Sequence, residues 1–496
     1  MAKLNHLLLL SGLLAASPQT FAAGDIHHDQ RARPVGHESS VFKADPSYED
    51  KPYDVDKQWE IYGGKKAVTV PRPMLEWGQA IYKNGPLKAP GHGWGTKNPT
   101  KNQLAVYGDW RTAVAYNDNG TSEVASIATR LNLDIDYQIT STERIHAFIR
   151  PLDKSGKFSR CEFAGADDED CKWELDGNVE ALFFEGDLGA ITAGITGEYN
   201  KLDLPFAIGL MPLLFQNGVW VEDAFTGFAF TLPALNSPKL DISNADITFF
   251  AAFDKVTSAA FRDANGDLAD HNVDLYGVTT FIDAMRGYWE LGYAYVDGKD
   301  SFDDLSYHNI TAAFTKRYGG WLSNSVRVIG NFGQDRSGNA RQTADGFVLL
   351  IENSLITSKP STLVPYLNLF AGFDTPQSLA RDAGAGGILK NTGINFETDA
   401  LTGFPKLDDT ANNTWGGALG IQYLFNLDRQ LVIEVAGLQT RKSAASRSAA
   451  GDQWGLGLRY QRPLSKAWIL RADSIFADRD NAEDLFGIRV ELRRKF

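Results

Sequence analysis

The sequence predicts an all-β protein: a transmembrane antiparallel up-and-down β-barrel of about 18 strands, bracketed at roughly 16–20. Three observations carry that reading. Apolar and polar residues alternate with period two through much of the chain, as in strands with two unlike faces. The connectors alternate between short turns and much longer loops. Beyond the first 23 residues no run of 18 uncharged apolar residues occurs, so a membrane can be crossed only by strands.

The final strand is explicit. Leu492, Val490, Ile488 and Phe486 share one face, while Lys495, Arg493, Glu491, Arg489 and Gly487 share the other. Upstream, Trp468, Leu470, Ala472 and Phe476 alternate with Arg471 and Asp473, and Trp454, Leu456, Leu458 and Tyr460 alternate with Gly455, Gly457 and Arg459. The cleanest period is Leu131, Leu133, Ile135, Tyr137 and Ile139 against Arg130, Asn132, Asp134, Asp136 and Gln138. Expected strands lie at 104–116, 126–139, 144–150, 175–186, 190–210, 225–233, 246–254, 273–282, 287–297, 305–317, 325–333, 346–357, 363–373, 415–425, 430–439, 453–461, 467–477 and 486–496. Pro205 and Pro212 make 190–230 the weakest stretch, because proline cannot donate to a ladder.

Short turns are expected near 140–144, 186–190, 282–287, 318–325, 358–362 and 463–466, and long connectors at 151–174, 254–272, 297–304, 333–344, 374–414 and 440–452. A soluble sandwich explains the alternation of residues but not that of connectors. Outer-membrane barrels have it, with short turns periplasmic and long loops outside. Trp289, Tyr293, Tyr295, Trp415, Tyr423, Trp454, Tyr460 and Trp468 near strand ends fit interfacial aromatic girdles.

Residues 1–23 read as a secretory signal peptide, with Lys3, an apolar core from Leu7 to Ala16, and small residues at Ala22 to Gly24. Residues 24–103 are rich in Pro and His and form a periplasmic leader or plug-like segment. One short helix is expected there, from Pro73 to Lys83, with proline near its start. The barrel is assigned to 104–496.

The net charge of −13 argues against nucleic-acid binding. Two cysteines exclude a thiolate-dominated metal cage. Cys161 and Cys171 bracket an acidic stretch in an outer loop, where an oxidising compartment favours a disulfide. The acids Asp167 to Asp170 read as a solvated loop rather than a metal site. The strand histidines His146 and His308 have no nucleophile at motif spacing, and no G-x-S-x-G occurs. No enzyme activity, metal or other cofactor is expected.

Taking the non-apolar face as the lumen, the expected pore-lining cations are Arg130, Arg150, Arg317, Arg327, Arg459, Arg471, Arg489 and Arg493. The expected acids are Asp134, Asp136, Asp473 and Glu491, with Glu434 as a further candidate. Two readings stand. Arginine rings would select anionic solutes. Arginine–carboxylate pairs would instead stiffen the wall. The loop from Asp374 to Thr414 is longer than a connection needs. Its Leu379, Ile388, Leu389, Ile394, Phe396 and Phe404 suggest that part of it packs into the mouth or lumen.

Together, the leader peptide, the alternating connectors and Phe496 resemble a Gram-negative outer-membrane porin. The stretch from Leu204 to Leu213, followed by Asn217-Gly-Val-Trp220, resembles the alginate-export barrels, with Leu210 and Met211 where Arg and Gln would be expected. The resemblance implies a channel in the outer membrane of a Gram-negative bacterium, passively passing hydrophilic, possibly anionic solutes. The alternatives are an export channel for a secreted polysaccharide, and a structural or adhesion barrel acting through its loops. Implied partners are outer-membrane lipid and lipopolysaccharide, the barrel-assembly machinery, and small solutes or a polysaccharide.

Phe496 resembles the assembly signal of such barrels. Phe496→Ala should therefore reduce membrane yield more than Phe486→Ala, although the two lose similar apolar area. Equal yields in outer-membrane fractions would remove the signal.

Overall fold

Lipid cannot hydrogen-bond a backbone, so a membrane sheet must leave no edge exposed to it. The computed structural model meets that condition. It describes residues 71–78, 91–154, 156–164, 170–263, 265–336, 341–360, 362–398, 400–425, 429–441 and 448–496. The expected signal peptide, most of the 24–103 segment and the Asp167 to Glu169 acids lie outside these residues.

A closed antiparallel barrel of 18 strands is formed. The strands are β1 (Gln103–Asp118), β2 (Glu123–Gln138), β3 (Arg144–Ile149), β4 (Val179–Asp187), β5 (Pro205–Phe215), β6 (Val221–Ser237), β7 (Ile242–Asp254), β8 (Val273–Ala284) and β9 (Gly287–Gly298). They continue as β10 (Tyr307–Tyr318), β11 (Leu322–Phe332), β12 (Asp345–Leu355), β13 (Leu363–Thr375), β14 (Thr414–Phe425), β15 (Arg429–Thr440), β16 (Gln453–Pro463), β17 (Trp468–Arg479) and β18 (Leu485–Lys495). Each pairs with the next, and β18 pairs with β1 through Asp118↔Phe486 to Asp109↔Lys495. Phe496 extends the seam, exchanging both backbone hydrogen bonds with Gly108 at 3.1 and 2.9 Å.

The outward face is apolar and open. Leu419, Ile421, Ile433, Val435, Leu456, Leu458, Phe476, Ile488 and Val490 are all exposed large apolar side chains. A water-soluble surface does not carry a contiguous apolar band of that extent, and a bilayer-facing one requires it. The inward face carries most of its charged and polar side chains on β1–β4 and β15–β18, whereas on β7–β13 it is largely apolar, with Phe250, Leu275, Val296, Ile329, Val348 and Leu350 buried inside the barrel. Connections at the end where β1 starts and β18 finishes are mostly tight, such as 285–286 and 319–321, whereas the opposite end carries 150–178, 255–272 and 376–413.

The structure corrects the sequence reading in three places. The expected strand 190–210 is a helix, α1 (Leu188–Thr196), followed by β5, so the expected tight turn at 186–190 is a longer connector. Asp187 caps α1 by accepting from the Ala190 N–H at 2.6 Å, and Gly197 ends it in a left-handed conformation. Its sequence, LGAITAGIT, has no period of two to hold a strand. The expected helix from Pro73 to Lys83 is, over its described part, a short strand, Leu75–Trp77, paired with Leu104 to Val106. The loop expected at 151–174 is partly wall: Lys157–Ala164 pairs with Ala125 to Thr129 of β2, taking over where the short β3 ends. Cys161 and Cys171 form a disulfide within that hairpin.

The largest departure from a plain barrel is at β5 and β6. β4 accompanies β5 only as far as Leu210, and β7 accompanies β6 only from Thr226 onward. Beyond those points Met211–Phe215 and Val221–Phe225 pair with each other, as a hairpin without wall neighbours. The departure begins where Gly209 faces Gly227. A bulge between Thr226 and Gly227 bends β6. Gly209 has φ of 126°, and a Cβ on Gly227 would lie 1.9 Å from the Ala251 carbonyl oxygen. Pro212 falls where β5 has become an edge, so its missing N–H costs no wall hydrogen bond.

Gly227→Val should therefore displace the hairpin while the rest of the barrel closes, at a cost of about 1–3 kcal/mol. The expected readout is intact heat-modifiable gel mobility with increased single-channel conductance. A folded variant with parental conductance would show that the bend does not depend on this glycine.

Candidate functional site

The tip of the hairpin lies inside the lumen. Trp220, fully buried, donates its indole N–H to Asn309 Oδ1 of β10 at 2.7 Å. Its ring lies over Gly292 of β9, where a Cβ would come within 2.4 Å of it. Gln216 accepts from the Thr311 hydroxyl at 2.8 Å. Met211, Phe225 and Phe250 join Trp220 in an apolar core that fills this side of the barrel. Residues mid-way along β9 and β10 are thus reached by a connector from β5 and β6, across the intervening β7 and β8.

The 376–413 segment holds the tip there. Ser378 donates to the Val219 carbonyl at 2.7 Å, and the Leu379 N–H to the Trp220 carbonyl at 2.9 Å. Ala380 and Arg381 run parallel to Val221 and Glu222. Arg381 reaches the Gly218 carbonyl and pairs with Glu222 at 3.2 Å, while Lys390 pairs with the same carboxylate at 3.0 Å. On the far side, fully buried Glu434 of β15 accepts the backbone N–H groups of Ile394 and Asn395, each at 2.9 Å. Further along, Asn117 of β1 donates to the Thr402 carbonyl at 2.7 Å, and Phe404 lies 5.5 Å from the Arg489 guanidinium. Leu379, Ile388, Leu389, Phe396 and Phe404 are buried, in keeping with the apolar anchors read from sequence.

Most of the expected cations are brought into ion pairs. Asp473 accepts from Arg459 Nε at 2.7 Å, Arg471 Nε at 2.8 Å and Arg489 at 2.7 Å. Glu397, contributed by the inner segment, accepts from Arg459 at 2.8 Å and stands 3.6 Å from Arg471. Arg493 pairs with Glu491 at 2.8 Å, Arg327 with Glu352 at 3.1 Å, and Arg150 with Glu180 at 2.7 Å. Asp136 lies 3.6 Å from Arg144. Arg130 is directly opposite Arg111, bonds Asn132 at 2.9 Å and lies over the Phe158 ring. Arg317 is apart from the rest, exposed at the end of β10 opposite Ser323.

Open space remains between the β1–β4 wall and the outer side of the hairpin. One cavity of about 470 Å³ is lined by Tyr107, Asp134, His146, Phe148 and Phe183, with Leu214 and Asp382 opposite. A second, of about 610 Å³, adjoins it through Arg150, Glu180, Asp223 and Asp382, and reaches Lys255 and His271 in the 255–272 connector. Among the described residues, Asp134, Asp223 and Asp382 have no ion pair. His146 stacks on Phe183 and bonds Glu185 at 3.1 Å. His308 instead packs on the outer face with Tyr293 and Phe332. Sequence reasoning missed Trp220, Glu397 and Asp382 because each acts from a connector, where no strand period marks the inward face.

No protein-family model matches the chain, and no curated protein matches it. Solved structures do match in fold. OccK2 (OpdF) of Pseudomonas aeruginosa aligns at 12% identity over 79% of this chain and 97% of that one, with a TM-score of 0.51. A BenF-like porin from Pseudomonas fluorescens Pf-5 aligns at 12% identity over 79% and 98%, with a TM-score of 0.51. Wzi of Escherichia coli, titled an outer-membrane protein involved in group 1 capsule assembly and a carbohydrate-binding β-barrel, aligns at 14% identity over 78% and 84%, with a TM-score of 0.46. The fold is that of a Gram-negative outer-membrane barrel.

Glu397 is the titratable clasp between the inner segment and the wall. Burial raises its carboxyl pKa, but Arg459 and Arg471 outweigh that and hold it below the ordinary carboxylate range. A depressed folded-state value stabilises docking above the ordinary range, and the contribution is lost as pH falls through the lowered value. Acidification across that window should thus increase current fluctuations in a bilayer recording. Glu397→Gln should produce them already at neutral pH, with about 1–3 kcal/mol of docking lost. Quiet traces from the variant at both pH values would exclude this clasp.

Proposed function

We propose that this protein is an outer-membrane diffusion channel for small hydrophilic solutes, with its passage confined between the β1–β4 wall and the inward hairpin. The observation that carries the reading is the pair of adjoining cavities beside the part of the lumen that residues 211–225 and the described residues of 376–413 occupy. Porin-like barrels are usually non-enzymatic, and among the described residues lining the two cavities no nucleophile is paired with a base.

The passage is read here as favouring uncharged or cationic solutes over anions. What supports this is the distribution of charge rather than its count. Arg459, Arg471 and Arg489 converge on Asp473, with Glu397 beside them, so their charge is largely compensated within the wall. The lining of the two cavities carries Asp134 and Asp382 without ion pairs among the described residues. Unpaired carboxylates in a narrow, low-dielectric passage repel anions more strongly than paired arginines attract them. Polysaccharide export retains one supporting observation: Tyr107, Phe148 and Phe183 line the same cavity and offer ring faces to a sugar.

Planar bilayers containing the full-length protein should show steady ohmic conductance, with a reversal potential of cation-preferring sign in a KCl gradient. Asp134→Asn combined with Asp382→Asn should move that potential toward anions, while Arg459→Gln should shift it little. A silent membrane would favour a structural barrel, and an anion-selective parent abolished by Arg459→Gln would restore the arginine reading.

A further inference from the structure

The outward surface of β12–β14 carries a hollow that the lumen does not explain. It has a volume of about 470 Å³ and is lined by Leu349, Ile351, Leu369, Ala371, Phe373 and Trp415. Ala371 stands between Leu349 on one side and Trp415 on the other in the cross-strand row. Its methyl group leaves a gap where the flanking positions carry large side chains. Phe373 and Trp415 lie beside the 376–413 connector, and Leu349, Ile351 and Leu369 lie further along the strands. The hollow therefore runs from the long-loop rim into the apolar band.

A cation closes its rim. Arg441, just beyond β15, is exposed, with its guanidinium 5.6 Å from the Phe373 ring centroid. It donates to Asn413 Oδ1 at 3.2 Å, and its backbone N–H bonds the Asn413 carbonyl at 2.9 Å. Among the described residues it has no carboxylate partner. An apolar groove ending at a positioned cation without an acid is complementary to a lipid with an anionic headgroup.

We propose that this groove binds a phosphorylated glycolipid of the outer leaflet, of the lipid A type, with an acyl chain against Leu349, Ile351 and Leu369 and a phosphate at Arg441. The inference is independent of what the lumen conducts. It rests on the long loops facing outward, which places the groove in the leaflet that such glycolipids occupy. Arginine suits the role because its planar fork donates two parallel hydrogen bonds to a phosphate.

The test is native mass spectrometry of the delipidated full-length protein in detergent, incubated with hexa-acylated lipid A or with phosphatidylglycerol at equal concentration. The parent should retain lipid A in preference to phosphatidylglycerol. Arg441→Gln should lower the retained fraction about five- to tenfold, the size expected for losing one charge-assisted contact. Ala371→Phe, which fills the hollow from the lipid face, should do the same without altering charge. Arg494→Gln, which removes the cation over Trp468 at the other end of the barrel, should leave retention unchanged. Heat-modifiable mobility of each variant reports that the barrel has closed. Parental retention by both Arg441→Gln and Ala371→Phe would overturn the site, and equal or better retention of phosphatidylglycerol would overturn the glycolipid assignment. Neither outcome bears on conductance, so the channel reading is judged separately.

Discussion

The demand that no backbone hydrogen bond be left facing hydrocarbon organises the whole molecule. Closure of β18 on β1 is its obvious consequence. The hairpin at 211–225 is the less obvious one. With β4 and β7 no longer alongside, those residues would expose two unpaired edges to lipid if they stayed in the wall. Turned into the lumen, they meet groups that can satisfy them. Val221 and Glu222 gain a parallel partner in Ala380 and Arg381, and the Val219 and Trp220 carbonyls gain Ser378 and Leu379. The two inner connectors are therefore one structural unit: the hairpin needs the 376–413 segment to cover its edges, and that segment needs the hairpin to lie against.

Once the lumen is partly filled, charges on its wall are no longer free in water. Burial of an isolated guanidinium is costly, and pairing offsets that cost only when the hydrogen bonds are complete. Arg489 and Arg327, both nearly inaccessible, each sit against a carboxylate. This is why the number of arginines on the inward face is a poor guide to the charge that the open lumen presents. Electrostatic character at the open surface is set by what remains unpaired beside the cavities, and there the carboxylates of Asp134 and Asp382 stand out.

The barrel was legible in the sequence because a strand between lipid and water must alternate, and β2, β16, β17 and β18 do so almost without exception. The misreadings have local physical causes. α1 is apolar without a period, so by its sequence alone that run reads as wall. The inward bend at Gly209 and Gly227 leaves the alternation intact on both sides, since a hairpin inside the lumen still has two unlike faces. Only the loss of neighbouring strands reveals it, and pairing is not written in any single segment. The inner packing of 376–413 was legible for a different reason: Leu379, Leu389 and Phe396 have no use in an external loop. Glu397 and Glu434 are not legible as its clasps, because their partners lie far along the chain.

The balance of those clasps determines what kind of constriction this is. Leu379, Leu389, Phe396 and Leu407 are fully buried, and each contributes about 1.5–3 kcal/mol by leaving water. Together they outweigh the ionic contact of Glu397 with Arg459, and they do not depend on pH or salt. Glu434 of β15, the strand next to β16, adds backbone hydrogen bonds on the same side, with the carboxylate wholly enclosed. The segment is thus held against the hairpin and against the β15–β17 wall by contacts that persist under ordinary conditions, with ion pairs at Glu222 and at Glu397. Such an arrangement keeps the segment inside the barrel and leaves the Glu397 contact to respond to pH. It does not swing open as a lid, because opening would return those four side chains to water at once.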